Sequence, residues 1–495
     1  MDVVILNDCA NPVDKRRVSR YIGPYKIAHH LRQAGYTVQV IDFVAFMTED
    51  EVLKYLRKFV SEETLMVAVS TTFLAQRIHK QSDGFWRRMP ETIVRSLKTI
   101  RAEVSKPKFV LGGYLAEHIE GFGTIDYRIT SNAEATVVEL VDYLAGVNDQ
   151  LPTYVLQVPM FDPRKKFAKV ITAPKRLQYN IETENFKFNI QDCIVPGETL
   201  PLEVSRGCIF KCKFCQHENI GRGKLDYLRS MDCIKEELIH NYNTWGTTRY
   251  YILCDTFNDT EYKVRLWYDM TKTLPFQIRW NSYIRVDLIH RYPETAILLQ
   301  DSGMVGAYHG IESLHSKASS IVGKAWSGKH AKEYIPKLYH DIWGGKVQQH
   351  LNFICGLHPE PRESVMETAD WFIQNDLHSI FFETLGLMEN GYRHQSEFER
   401  DATKYGYSFY THANGERHWK TDYWNFEEAA AHALLANSRV KPYTKFSGWR
   451  TLACESVGMS MEDAGALAKD FKFNLEKELN VLFVRKYMKL LDEIV

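Results

Sequence analysis

What the 495-residue chain does not contain narrows the field first. It has no run of 18 apolar residues, so no bilayer-spanning helix is expected. No basic segment precedes an apolar stretch at the N-terminus, so no secretory leader is expected and the expected setting is the cytoplasm. Neither sign of charge is in excess, since Lys+Arg and Asp+Glu both number 62. That balance calls for no nucleic-acid or membrane partner. The short basic clusters Lys15-Arg16-Arg17 and Arg164-Lys165-Lys166 read as solvated faces. Cysteine is sparse and odd in number, nine in all, which argues against a disulfide framework and for a reducing compartment. There is no internal repeat and no low-complexity tract. What is present suffices for two to four domains of about 100–200 residues each. The 45% hydrophobic content can fill a large core. The 13% aromatic content suits either a large interior or an aromatic-lined substrate cavity.

Residues 1–145 alternate short apolar runs with helical stretches. Val3–Leu6, Thr37–Asp42, Leu65–Ser70, Phe109–Gly113 and Ile125–Ile129 read as buried parallel strands, with helices over Gly23–Ala34 and Ala135–Leu144. This rhythm predicts a Rossmann-like, doubly wound parallel sheet, on which ligands sit beyond the carboxyl ends of the strands. Residues 146–195, rich in Pro and Asn, read as a connector. From 196 to 395 strands and helices alternate again. The strand-like runs begin with Leu202-Val204 and continue at Arg249–Leu253, Gln277–Trp280, Val305–Tyr308, His350–Ile354 and Ser379–Phe382. Each is followed directly by polar or glycine residues, and helices are expected over Met231–Tyr242 and Ser364–Asn375. Six such units predict a partial (β/α)6, TIM-type barrel with its chemistry at the carboxyl ends of the strands. Residues 396–495 predict a helical C-terminal region, helices Phe426–Asn437 and Met461–Leu491, read as a cap on the barrel, with a substrate-recognition module as the alternative. His412 and His418 lie there without a third metal ligand at regular spacing.

The chemistry concentrates after the first barrel strand. Cys208, Cys212 and Cys215 follow one another as C-x3-C-x2-C. Three thiolates so close can converge on one metal or cluster. On a four-iron cluster, three cysteines leave one iron without a protein ligand. A structural zinc needs four ligands, which His217 would complete as Cys3His. Cys193, Cys254 and Cys355 read as buried small residues, with a thiol role in substrate chemistry kept open for Cys355.

Glu203-Val-Ser-Arg-Gly-Cys208-Ile-Phe-Lys-Cys212-Lys-Phe-Cys215 resembles the cluster motif of the radical S-adenosylmethionine (radical SAM) enzymes. The SRG and the domain order resemble the subgroup with an N-terminal cobalamin-binding-like domain. The resemblance implies a [4Fe–4S] cluster on Cys208, Cys212 and Cys215, with SAM chelated to the open iron. It implies reductive cleavage of SAM to a 5′-deoxyadenosyl radical, an external reductant such as a flavodoxin or ferredoxin, and a substrate the sequence does not name. It also implies SAM contacts. Phe214 would approach adenine, Asp255 would accept from the ammonium group, and Arg285 would meet the carboxylate. Glu312, in Gly310-Ile-Glu-Ser, would bind the ribose or amino group, and Gly356 would lie near adenine. Each has a structural alternative, for Glu312 a loop carboxylate paired with a lysine. Gly23-Pro-Tyr25, Leu111-Gly112-Gly113 and Asp126…Glu134 resemble the cobalamin domain. The D-x-H-x-x-G signature is missing, because the chain reads Asn7-Asp8-Cys9-Ala10-Asn11-Pro12 there. Cobalamin-dependent methyl transfer and an empty scaffold domain both stay open. So do two alternatives to an enzyme: a non-catalytic zinc scaffold and an Fe–S electron carrier.

Overall fold

Two parallel sheets organise the chain, one for each half of the alternating pattern. The computed structural model describes residues 1–8, 18–74, 76–78, 86–113, 116, 119–120, 125–130, 132–152, 155–156, 169–172, 179–217, 221, 227–324, 326, 328–387, 395–413, 417–445, 452, 455–459 and 473–495. The segment Cys9–Pro12, both basic clusters and the first part of the stretch Met461–Leu491 lie outside the described residues.

The first sheet holds β1 (Val3–Leu6), β2 (Val38–Ile41), β3 (Met66–Ser70), β4 (Lys108–Gly112), β5 (Tyr127–Thr130), β6 (Val155–Leu156) and β7 (Lys169–Thr172). Their order is β2-β1-β3-β4-β5-β7-β6, parallel except for the β6–β7 pair. Thus β6 and β7, from the stretch expected as a connector, extend this sheet. Both faces of β1 are buried, which explains its unbroken Val-Val-Ile-Leu run. One face packs against α1 (Ile22–Gln33) and α4 (Glu134–Leu144). The other packs against α2 (Glu49–Phe59) and α3 (Glu91–Glu103). Local signals set the helix ends. Pro24 sits in the first turn of α1, where its missing N–H costs nothing, and Gly35 follows the helix with φ +95°. Thr48 and Glu51 close a capping box on α2.

The second sheet holds β8 (Thr199–Leu202), β9 (Arg249–Ile252), β10 (Arg279–Tyr283), β11 (Met304–Glu312), β12 (Gln348–Cys355) and β13 (Ser379–Thr384). All are parallel and paired in chain order. Helices connect them: α5 (Met231–Trp245), α6 (Glu261–Lys272), α7 (Val286–Arg291), α8 (Glu294–Asp301), α9 (Ser316–Val322), α10 (Gly328–Lys337) and α11 (Arg362–Gln374). Sequential parallel strands with helical crossovers form the expected open (β/α)6 arrangement.

The C-terminal region is helical but more divided than expected. A hairpin of β14 (Ser408–Thr411) and β15 (Arg417–Lys420) precedes α12 (Phe426–Val440), and both pack on the barrel. The last helix, α13 (Phe473–Glu493), corrects the expectation of a barrel cap. Its Phe483, Val484, Tyr487, Met488 and Leu491 bury against the N-terminal sheet and α2. Tyr487 Oη accepts the Asp42 backbone N–H at 2.9 Å. No described helix is long and apolar enough to cross a membrane.

Candidate active site

After β8 the chain must turn sharply to bring three cysteines past the strand end. Gly207 supplies the turn, with φ +107°, a conformation L side chains rarely adopt. Cys208 is buried, with Sγ 3.5 Å from Thr256 Oγ1 on the loop after β9. Cys212 and Cys215 are half-buried, and the Cys215 N–H donates to the Cys212 carbonyl at 3.0 Å. All three are free thiols. Burial pushes Cys208 above the ordinary thiol range and Cys215 up to about 11.

The loop is held from several sides. Lys213 N–H donates to Val322 at the end of α9, and Lys213 Nζ pairs with Glu397 at 2.6 Å. Gln216 Nε2 donates to Glu399 at 2.7 Å. Gly323 lies so near that a Cβ there would stand 3.8 Å from the Cys212 Cα. Beneath the loop, the fully buried Lys263 donates to Ser205 Oγ at 2.9 Å, and Ser205 bonds Cys254 Sγ at 3.0 Å.

The expected SAM residues divide into two groups. Arg285 comes to the cluster loop: its guanidinium lies 3.9 Å from the Phe210 ring centroid and pairs with Asp287 at 2.6 Å. Burial alone would lower its pKa, but Asp287 and the neighbouring Cys212 and Cys208 raise it, so the cation is firmly held. Asp255 also reaches the loop. Burial raises its carboxyl, against the charge of His217 3.4 Å away and a backbone N–H of Gly207. Phe214 is half-buried against the barrel core. Glu312 pairs with a lysine. It sits at φ +68° on a register shift of β11, 3.4 Å from Lys324 Nζ. Burial raises its carboxyl, with Lys324 and Arg285 opposing. Gly356 has a packing reason of its own: φ is +99°, and a Cβ would fall 2.2 Å from the Trp419 ring. Cys355 is fully buried, and burial pushes its thiol up to about 12.

Sequence reasoning missed the charges beside the loop. Lys26 of α1 is fully buried and contacts the carboxylates of both Glu184 and Glu203. Arg206 bonds Glu203 at 2.7 Å and Glu134, the first residue of α4, at 2.6 Å. Burial alone would raise Glu203, yet Arg206 and Lys26 together hold it far below the usual carboxylate range. The signal was a lysine on the buried face of a helix between Ile22 and Leu31, which demands a buried counter-charge.

Between the two sheets lies a cavity of about 810 Å³. On one side it is lined by Ile5, Met66 and Ala68 of β1 and β3 and by Gly112-Gly113. On the other it is lined by Arg206, Gly207, His217 and Asp255 of the cysteine side. The order β2-β1-β3-β4-β5 reverses direction between β1 and β3, and ligands of open α/β sheets bind at that reversal.

Three thiols in one clamped loop suit a cluster better than zinc. One zinc with Zn–S bonds of about 2.3 Å holds its sulfurs about 3.8 Å apart. Among the described residues, the His, Cys, Asp and Glu ligand atoms that all lie within 4.8 Å of one another belong to His412, His418 and Glu427, not to the cysteines. His217 turns to Asp255. The comparison with known families decides between the two. The description of the Radical SAM superfamily matches residues 202–372, from the end of β8 through most of α11. Residues 202–372 make up a radical SAM domain. The chain is therefore an enzyme that uses a [4Fe–4S] cluster to cleave SAM reductively.

The fold extends the likeness beyond that domain. The radical SAM methyltransferase TsrM from Kitasatospora setae, solved with tryptophan and a SAM analogue, aligns with a TM-score of 0.58 and 15% identity. That alignment covers 83% of this chain and 79% of TsrM. The cobalamin-dependent radical SAM enzyme OxsB, solved with aqua-cobalamin, aligns with a TM-score of 0.59 and 12% identity. It covers 99% of this chain and 80% of OxsB. No curated protein matches by sequence.

Proposed function

We propose that this radical SAM enzyme binds cobalamin in the cavity between its two sheets and transfers a methyl group to a small-molecule or polymeric substrate. Cys208, Cys212 and Cys215 hold the cluster in this reading. Arg285 meets the SAM carboxylate, Asp255 accepts from its ammonium group, and Phe214 lies near adenine. Glu312 reaches SAM only by sharing its carboxylate with Lys324. Gly356 acts indirectly, by letting Trp419 pack at the end of β12. The observation that carries the reading is the cavity. It opens at the β1–β3 reversal, and its far wall is the residue group next to the cysteines. A ligand in it faces both the sheet and the reacting centre. The likeness in fold to TsrM, solved with cobalamin and a [4Fe–4S] cluster bound, and to OxsB supports the same reading.

Cobalamin, when bound, would supply a methyl carrier beside the cluster. The protein's own part is to position and enclose. Arg206, fixed by Glu203 and Glu134, gives the cavity a rigid cationic wall. The apolar side chains of Ile5, Met66, Val110 and Ile129 floor it and exclude water. Among the described residues, no histidine of the N-terminal sheet lines it. His29 packs on Phe186, and His30 turns to Glu184. We place the enzyme in the cytoplasm, with a flavodoxin or ferredoxin as its electron source, because a cluster with an open iron needs reducing surroundings.

The test is anaerobic. The chain is reconstituted with iron and sulfide, given cobalamin, SAM and a strong reductant, and assayed for 5′-deoxyadenosine and S-adenosylhomocysteine. Wild type should retain about one cobalamin per chain through desalting, and Cys212→Ala should retain it while forming neither nucleoside. A chain that cleaves SAM but never retains cobalamin would leave the scaffold alternative in its place.

A further inference from the structure

The sequence left His412 and His418 as a pair without a partner ligand. Folding supplies one. Tyr410, His412 and His418 share one face of the β14–β15 hairpin, because Tyr410 pairs with His418 across the strands and His412 lies two residues beyond Tyr410. That face meets Glu427 in the first turn of α12. His412 Nε2 stands 3.6 Å from Glu427 Oε1, and His418 Nδ1 contacts the same oxygen. The two imidazoles stack with centroids 5.2 Å apart. Tyr410 Oη donates to the other Glu427 oxygen.

We propose that His412, His418 and Glu427 bind a divalent transition-metal ion, zinc by their chemistry. Two imidazoles and one carboxylate form a ligand set suited to zinc, with a fourth position for water. The three ligand atoms all lie within 4.8 Å of one another. A tetrahedral ion about 2.1 Å from each needs separations of about 3.4 Å, and the His412–Glu427 distance of 3.6 Å is already close to that. The ion would take the place of the proton between His418 and Glu427, which requires only a small opening of that contact. Tyr410 fixes the carboxylate orientation, as outer partners of metal-bound carboxylates do. His412 and Glu427 are partly exposed, so an ion has a way in. The site is separate from the cysteines and does not rest on the cobalamin reading.

Its place in the fold gives it a use. Trp419 follows His418, packs over Gly356 at the end of β12 and donates from Nε1 to the Leu385 carbonyl past β13 at 2.8 Å. An ion joining the hairpin to α12 would staple Trp419 onto the carboxyl ends of two barrel strands.

The test uses the full chain, anaerobically loaded with its cluster so that iron occupies the cysteines. It is equilibrated with zinc chloride, desalted, and analysed for zinc beside iron. Wild type should hold one zinc per chain, and His412→Ala and His418→Ala none, with iron unchanged. Glu427→Gln keeps the size and hydrogen bonding of the side chain. Competition against a chromophoric chelator should show it binding zinc more than about 100-fold more weakly, and Tyr410→Phe about 10-fold more weakly. Chelation should lower the thermal midpoint of wild type and leave that of Glu427→Gln unmoved. No zinc in wild type, or zinc retained in all the variants, overturns the proposal. An alanine variant that loses iron as well has misfolded, and Glu427→Gln then decides: tight zinc binding there overturns it.

Discussion

At the scale of single residues, burial sets the chemistry more than residue type does. Glu360 shows this. It is buried beside α11, where Ser364 Oγ donates to it at 2.8 Å, and burial lifts its carboxyl to about 7 despite the Ser364 and Ser313 hydroxyls. The folded chain therefore keeps a proton that the unfolded chain releases above about pH 4.5. The stability tied to that proton is complete below this pH and is lost as pH rises to 7. Glu360→Gln carries no such dependence. Urea unfolding at pH 5 and pH 8 should show the stability difference shifting in favour of the variant by up to about 3 kcal/mol. Arg285 offers a second test. Removing a charge-assisted hydrogen bond worth about 1.5–3 kcal/mol weakens binding roughly 10- to 100-fold. Arg285→Ala should keep its iron and lose SAM affinity by that factor, as measured by equilibrium dialysis. Unchanged affinity would leave Arg285 with a purely structural pairing to Asp287.

At the scale of elements, the C-terminal segments divide their loyalty. The hairpin and α12 serve the barrel, and Gly356 shows how closely. Any side chain at residue 356 must take φ +99° and displace Trp419. Gly356→Ala should cost about 2–4 kcal/mol through strain and overpacking, read as a lower thermal midpoint with the cysteine loop still able to take iron. The last helix serves the N-terminal sheet. Phe483 and Tyr487 stand edge-on to Phe43 at centroid distances of 5.5 and 5.1 Å. Burying five apolar side chains at about 1.5–3 kcal/mol each is comparable to the whole net stability of a typical domain. Removal of residues 473–495 should therefore open the N-terminal sheet, and limited proteolysis should then cut first within residues 1–145.

At the scale of the whole molecule, a buried charge network joins the two sheets beside the cysteines. Lys26 comes from the N-terminal domain, and Glu203 from the motif itself. Arg206 returns the link to Glu134. Lys26→Met would leave Glu184 and Glu203 short of a buried partner, at about 3–5 kcal/mol. We expect a lower thermal midpoint and slower SAM cleavage together, because Glu203 also orients Arg206 on the cavity wall. Loss of stability with SAM cleavage at the wild-type rate would show that the network only holds the domains together.

Most of the architecture was legible in the local pattern of the chain. Unbroken apolar runs such as Val3–Leu6 need burial on both faces, and alternation with helices then leaves little but parallel sheets. That local pattern also determined the three-thiol loop, because a thiol motif is local and its spacing is its geometry. The long-range partnerships emerged with folding. Glu312 meets Lys324 and Gly356 meets Trp419. Glu427 joins His412 and His418, and α13 crosses back to Asp42. The physical reason is common to them all. Charge pairs, close packing and metal sites depend on distances in space, and residues far apart along the chain carry no local pattern of their meeting.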